Sequence, residues 1–197
     1  MSFINHTVTL LNNHGVILVP TDTHFALAAS PMSALAMARL LAFKQELAVS
    51  TLTFCFSDRQ QIWPWVKVTT WQHQQIERLG KKFWPGALKL SVKGSPLLLN
   101  YLAADEVITI SCMRNQLLSQ LIQKLDTPLT VIPALCPEQS EALVSFTRAR
   151  EYYGSRMDWV VPSNNKPIFH QATTHLSLLD DRYEIIRAGA LDLSGYL

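Results

Sequence analysis

Short apolar runs of strand length alternate with apolar stripes at helical spacing along nearly the whole chain. The runs suit buried strands, and stripes that repeat every three or four residues suit helices that cover a sheet. The sequence therefore predicts an α/β fold built on a twisted, mixed β-sheet flanked by helices. The predicted strands are residues 16–19, 51–56, 87–92, 107–111, 128–132 and 159–161.

Helices are predicted between these strands, because cap residues and breakers stand at the ends of the stripes. Met32 and Leu35 belong to the face that the second helix is expected to bury. The predicted helices run from Ser2 to Gly15, from Ser30-Pro31 to Lys44, through the second half of residues 58–82, over 117–125, and over 138–153 between Pro137 and Gly154.

Two acidic residues, Asp180-Asp181, separate the last two strand-like segments, residues 173–178 and 183–187. Aspartate is frequent in turns, so these segments predict a β-hairpin that closes the sheet. The length of 197 residues fits a single domain over residues 1–197. A chain of this length buries a sufficient core without disulfides or a structural metal.

The composition excludes several classes of protein. Hydrophobic residues make up 48% and charged residues 16%, which argues against disorder. Cys55, Cys112 and Cys136 lack the paired spacing of zinc sites, so neither zinc nor disulfides are expected. No signal peptide is recognisable, and no apolar stretch approaches the ~18 residues of a membrane span. We therefore expect a cytoplasmic protein without a membrane partner.

The common nucleotide-binding and catalytic motifs are absent. The chain has no GxGxxG, so the usual NAD and flavin fingerprint is missing, and Gly80-Lys81-Lys82 lacks the other residues of a phosphate-binding loop. It also has no HExxH and no GxSxG elbow. A net charge of +2 is too small to indicate nucleic-acid binding by itself.

The stretch VPTDTHFALA, residues 19–28, places three small polar residues directly after a predicted buried strand. Thr21, Asp22 and Thr23 are typical of turns, in which such side chains satisfy amides at strand ends. The alternative is a ligand site at the end of the strand. The residues taken alone leave both interpretations open.

Two further segments, FWPGAL at residues 83–88 and IRAGA at residues 186–190, flank later predicted strands. In this order and spacing, the three segments resemble the YrdC-like family of threonylcarbamoyl-AMP synthase type. Members of that family carry a strand followed by PTDTVYGLG, a helix ending in KxR, WPGPLT, an SxN loop and a final RPGA. The resemblance covers nearly the whole chain.

The resemblance implies an α/β domain with a concave, positively charged ligand- and RNA-binding face. It implies synthesis of threonylcarbamoyl-adenylate from L-threonine, bicarbonate and ATP with Mg²⁺, for modification of tRNA, and binding of double-stranded RNA. Catalysis of this kind rests on positioning and on neutralising phosphate charge. The residues that the resemblance implies for substrate and nucleotide binding are Thr21, Asp22, Thr23, Lys44, Thr173 and Arg187.

The chain departs from the family pattern at several positions. Glu46 replaces the arginine of KxR, Ser111 replaces an arginine of a later strand, and Pro133-Ala134-Leu135 replaces SxN. Ala26 and Ala28 replace the glycines of YGLG. Exchanging arginine for glutamate ~5 Å from a phosphate, at an effective dielectric of ~20, weakens binding by up to about 6 kcal/mol.

These departures favour a YrdC-like protein with a degenerate ATP site that binds RNA or another small anionic ligand. A second hypothesis is a divergent but active synthase, because PTDT, Lys44 and Arg187 are kept. A third is a protein-interaction module that keeps only the fold and uses the tryptophan-bearing residues 58–82 as its surface.

Individual residues also have purely structural interpretations. Lys44 would complement the dipole of a helix C-terminus without any ligand. Arg187 would pair with Asp180 or Asp181 at the surface, and His175 would belong to an ordinary polar strand face. The tryptophans at 63, 65 and 71 would be packing residues rather than a platform for stacked bases.

Overall fold

The computed structural model describes residues 3–98, 101–102, 106–136, 145–162, 168–169 and 171–197. The described strands form one ten-stranded mixed sheet in the order β10-β9-β5-β6-β3-β7-β2-β1-β8, and β4 pairs with β5 beside this path. The predicted α/β class is therefore confirmed. The strands are β1 (Val16–Pro20), β2 (Phe25–Ala29), β3 (Thr53–Phe56), β4 (Val66–Lys67), β5 (Leu88–Gly94), β6 (Val107–Cys112), β7 (Leu129–Pro133), β8 (Trp159–Val160), β9 (Thr174–Ser177) and β10 (Glu184–Arg187).

Helices connect these strands and cover both faces of the sheet. Each of the last four begins at a side chain that accepts a hydrogen bond from a first-turn amide, as N-caps do. Membrane-spanning length and apolarity are not reached by any helix in the described part of the chain. The helices are α1 (Phe3–Asn12), α2 (Ala34–Glu46), α3 (Thr70–Phe83), α4 (Gln116–Leu125) and α5 (Phe146–Tyr153).

The sheet alternates its side chains between two hydrophobic layers, as the period of two in a strand requires. The larger layer lies between the sheet and helices α2, α3 and α5, and it includes Leu90, Ile110 and Leu176. The smaller layer lies on the opposite face, where Leu11 of α1 and Leu118 of α4 pack on four neighbouring strands, β1, β2, β7 and β3. The strands β5, β9 and β10 contribute no residue to this smaller layer.

The stretch VPTDTHFALA is a β-hairpin, and its second strand was not predicted. β1 and β2 pair antiparallel from Val16 opposite Ala29 to Pro20 opposite Phe25, so residues 21–24 form the connecting loop. Both strands are completely buried. FALAA lacks the β-branched residues that mark strands, and tertiary pairing overrides the helical preference of its alanines.

The second and fifth helices begin later than predicted. Ser33, not Ser30, caps α2, and Met32 and Leu35 are 69% and 60% exposed instead of buried. Ser145 has extended backbone angles and caps α5, so a continuous helix over 138–153 is wrong. Its predicted start at Pro137 lies outside the described residues, as does the Ser2 cap of the first helix.

The ends of other elements agree closely with prediction. α5 ends at Gly154, and β9 and β10 form the predicted antiparallel hairpin. The first helix ends at Asn12, and the left-handed residue that follows it is His14 rather than Gly15.

The three cysteines are free and buried. The tryptophans of residues 58–82 are partly buried against the larger core layer.

Candidate functional site

A cleft of about 210 Å³ opens on the sheet face that carries α1 and α4, and residues of β3, β5 and β7 belong to its lining. One wall is polar and charged, and the other is mostly apolar. The lining residues are Thr21, His24, Ala48, Val49, Ser50, Thr51, Thr53, Lys89, Ser111, Met113, Val131, Pro133, Ala134, Leu135, Ala172, Thr173 and Arg187. Three of the six predicted binding residues, Thr21, Thr173 and Arg187, therefore line the cleft.

The β1–β2 loop forms one corner of the cleft and is held by its own hydroxyls. Thr21 Oγ1 donates to the His24 carbonyl at 2.6 Å and accepts from the His24 amide at 3.1 Å. The Thr21 amide also donates to the His24 carbonyl, at 2.8 Å. Thr21 therefore closes the loop as well as lining the cleft, so the turn and ligand interpretations of PTDT are compatible.

Asp22 anchors the loop to α4 and does not line the cleft. Its two carboxylate oxygens each accept at 2.6 Å, from the amides of Arg114 and Asn115. The side chain is buried, and burial raises the pKa of the carboxyl although both amides act to lower it. Asn115 in turn caps α4, so Asp22 links the cleft loop to the start of that helix.

Thr23 is buried behind the cleft surface and orients His24. Its Oγ1 lies 2.7 Å from His24 Nδ1 and 3.4 Å from Thr173 Oγ1. A hydroxyl in this position fixes the rotation of the imidazole ring and ties it to the strand that begins at Thr174. Thr23 therefore belongs to the support of the site rather than to its surface.

A row of three residues crosses the polar wall on neighbouring strands. Lys89 of β5 and Arg187 of β10 are both paired in register with His175 of β9, so the three side chains share one face of the sheet. His175 is buried and its Nε2 lies 2.7 Å from Ser91 Oγ. The row therefore places two cations on either side of one buried imidazole.

Both histidines of the polar wall are held neutral by their surroundings. Burial, followed by the positive charges of Lys89 and Arg187, lowers the pKa of His24 to about 4. The same causes lower the pKa of His175 to about 3. Neutral imidazoles keep the wall from accumulating four positive charges, and they leave the two cations to face the cleft.

Arg187 is fixed by the segment that carries Thr173. Its Nε and Nη2 donate to the Thr173 carbonyl at 3.2 and 3.0 Å. It does not pair with Asp181, whose carboxylate accepts from Thr69. Gly189 lets the chain return against the same segment, because a Cβ there would lie 2.2 Å from the Ala172 carbonyl oxygen.

Lys44 and Glu46 lie outside the cleft lining. Lys44 is half-buried in the last turn of α2, as its dipole interpretation requires. Glu46 makes a bidentate ion pair with Arg156, with N–O distances of 2.9 and 2.6 Å. This pairing lowers the pKa of Glu46 and turns its carboxylate toward α5.

The wall opposite the cations is built by the family-atypical segments. Pro133 and Leu135 line it together with Val131 and Met113. The Leu135 carbonyl accepts a hydrogen bond from the buried Tyr153 hydroxyl, which fixes this turn against α5. A ligand in the cleft would therefore meet an apolar surface where the family pattern has an SxN loop.

Sequence reasoning missed Lys89 and His24 as lining residues. The alternation of Lys89, Ser91 and Lys93 with apolar residues on β5 predicted one polar face, but not what that face would meet. His24 stands where the quoted family motif has valine, and this difference was the available signal. Among the described residues, no three His, Cys, Asp or Glu side chains cluster as a metal site would require.

Known proteins resemble this chain in sequence and in fold. The Sua5/YciO/YrdC sequence family, described as "Telomere recombination", matches residues 9–189. A threonylcarbamoyl-AMP synthase of Vibrio vulnificus strain YJ016 is 26% identical over 145 residues, which cover 72% of this chain and 76% of that protein. The resemblance drawn from the motifs is thereby confirmed.

Two solved structures share the fold. E. coli YciO matches with a TM-score of 0.82 at 20% identity, over 99% of this chain and 93% of the other. P. abyssi Sua5 complexed with L-threonine also matches with a TM-score of 0.82, at 19% identity, over 98% of this chain. The match spans only 55% of the P. abyssi chain.

Proposed function

The chain belongs to the Sua5/YciO/YrdC family, and we propose that its cleft binds the carboxylate or phosphate group of a small ligand such as the zwitterion L-threonine, without forming the family's full ATP site. The observation that carries this proposal is the pair of cations, Lys89 and Arg187, on either side of His175. An anion about 5 Å from each cation would interact with each by about 3 kcal/mol at an effective dielectric of ~20.

The shape of the cleft also favours a small ligand. Its volume of about 210 Å³ is below the roughly 300–1,000 Å³ typical of pockets for drug-sized ligands. The hydroxyls of Thr21 and Thr173 stand beside the cations and would orient a carboxylate or phosphate. The similar P. abyssi protein was solved with L-threonine, a small zwitterion whose carboxylate suits a pair of cations.

Three features argue against triphosphate binding in the family's manner. Lys44 does not line the cleft, and Glu46 is occupied by Arg156. Pro133 and Leu135 offer an apolar wall in place of hydrogen-bonding groups. Polar atoms of a nucleotide buried against that wall would lose hydrogen bonds to water, at about 1–3 kcal/mol each.

Calorimetric titration tests the proposal, with L-threonine, pyrophosphate and ATP as separate probes. We expect either L-threonine or pyrophosphate to bind, and the one that binds shows whether the site takes a carboxylate or a phosphate. We expect ATP to bind no more tightly than pyrophosphate. Lys89→Met should weaken binding about tenfold or more. Lys93→Met removes an exposed lysine from the same strand and should change the affinity less than twofold. Equal losses in both variants, or tight ATP binding, would contradict the proposal.

The second candidate is an active threonylcarbamoyl-AMP synthase that supplies tRNA modification, with RNA as its downstream partner. The placement of Thr21, Thr173 and Arg187 around one cleft favours it, as does the similarity to synthases of that name. Pyrophosphate release from ATP that depends on both L-threonine and bicarbonate would establish this candidate in place of the first.

A further inference from the structure

One polar group in the cleft remains unused by the proposed anion site. His24 is the least buried residue of the 21–24 loop, and it lines the cleft while its neighbours Thr21, Asp22 and Thr23 are almost fully buried. Its Nδ1 is engaged by Thr23 Oγ1 at 2.7 Å. Among the described residues, Nε2 has no hydrogen-bond partner, so it is the ring atom left to meet a ligand.

We propose that His24 is a specificity-determining residue that hydrogen-bonds a neutral polar group of the ligand, next to the anion held by Lys89 and Arg187. This inference rests on the proposed function and adds the ligand class: a small molecule with a hydroxyl or carbonyl adjacent to its anionic group. A simple alkyl carboxylate would leave the imidazole unpaired.

The surroundings of His24 fit this role better than that of a charged anchor. The charged groups that act on it are Lys89 from β5 and Arg187 from β10, both positive. Together with burial they keep the ring neutral above a pKa of about 4. A neutral ring carries one donor and one acceptor, so it matches a polar group rather than a second anion.

Thr23 is the positioning residue of this arrangement. Its hydroxyl contacts both His24 Nδ1 and Thr173 Oγ1, so it ties the ring to the segment that carries Thr173 in the same polar wall. Depending on which atom donates, this bond leaves Nε2 as a donor or as an acceptor. In either tautomer the hydroxyl of Thr23 holds Nδ1, and Nε2 stays able to pair with one polar group of a ligand.

The test compares three variants with the wild-type protein by calorimetry, with L-threonine and pyrophosphate as probes. His24→Val inserts the residue of the family motif and should weaken L-threonine binding about three- to tenfold. His24→Gln places an amide near the position of Nε2 and should restore most of the affinity. Thr23→Val should weaken binding by a smaller factor, because the ring loses its orientation but not its polar atoms.

Nitrogen-15 NMR of the imidazole supplies a readout that a purely structural role would not move. Addition of L-threonine should shift the Nε2 resonance of His24 more than that of His175, which is bonded to Ser91. If the wild-type protein and His24→Val bind the probes equally and the Nε2 resonance stays fixed, the inference is overturned while the proposed function stands. If the wild-type protein binds neither probe, both are overturned.

Discussion

One face of the sheet has two regions. In both, every second side chain of a strand points to this face, but in one region helices bury these side chains and in the other they face the cleft. In the first region, β1, β2, β7 and β3 present mostly aliphatic side chains, and α1 and α4 bury them. On the same face, β5, β9 and β10 present Lys89, His175 and Arg187. Lys89 and Arg187 form the charged side of the cleft, which extends to Thr53 of β3 and Val131 of β7. The backbone is continuous between them, so the identity of every second residue decides whether a strand supplies core or site.

The largest effect is expected from a substitution in the core under α1 and α4. Leu118→Ala removes a fully buried side chain of α4. We expect a loss of about 2–5 kcal/mol in unfolding free energy, as is typical of leucine truncation in a core. Leu117→Ala, at a half-buried position of the same helix, should cost clearly less. Urea unfolding measures both values.

The affinity of the folded Leu118→Ala protein for L-threonine should equal that of the wild type. A loss of affinity as large as that of Lys89→Met would show that the two regions are coupled.

Asp22 links the cleft loop to the start of α4 and therefore connects the two regions. Asp22→Asn would point an amide NH₂ group at one of two backbone amides, Arg114 or Asn115, because an asparagine side chain has only one acceptor oxygen. We expect destabilisation of about 1–3 kcal/mol from the unsatisfied buried donor. Hydrogen exchange should show faster opening at the first turn of α4. If binding is lost while stability and exchange are unchanged, then Asp22 is a ligand contact instead of a structural anchor.

The smallest effect per residue is expected from pH, through the two buried histidines of the polar region. His24 and His175 have folded-state pKa values of about 4 and about 3, below the ordinary value of 6.5. The unfolded chain therefore binds more protons below pH 6.5, so stability is complete above that pH and falls as the pH is lowered toward 4. We expect a loss of about 1 kcal/mol per histidine at pH 5.5 relative to pH 7.5.

Urea titrations at the two pH values, on the wild type and on His175→Gln, measure this slope. The variant should lose about half of the pH dependence. An unchanged slope in His175→Gln would mean that other groups cause the acid sensitivity.

The sequence predicted the covered region well, because its signals are local. Apolar runs such as 16–19 and the leucine stripe of 117–125 lie within single elements, and periodicity identifies them. β2 was missed because an alanine-rich segment becomes a strand only through its partners β1 and β7. Ser33 was missed as a cap because Ser30-Pro31, three residues earlier, carries the stronger sequence signal.

The candidate site was predicted only in part, because its geometry depends on register between distant segments. Thr21, Thr173 and Arg187 were named from the motifs and do line the cleft. Lys89 joins them because β5 pairs with β9 in one particular register, and neither the partner nor the register can be read from residue 89 itself. Lys44 was also predicted as a binding residue from its motif, but it lies in the last turn of α2, outside the cleft lining.

The ion pair between Glu46 and Arg156 restricts how this chain could change by mutation. Arg156 is also stacked over Phe43, at 4.7 Å from the ring centroid, so its guanidinium is held from two sides. A single Glu46→Arg replacement would confront two guanidinium groups before it could offer a cation to any ligand. Restoring the family's arginine therefore requires a compensating change at residue 156, and the two positions are linked by epistasis.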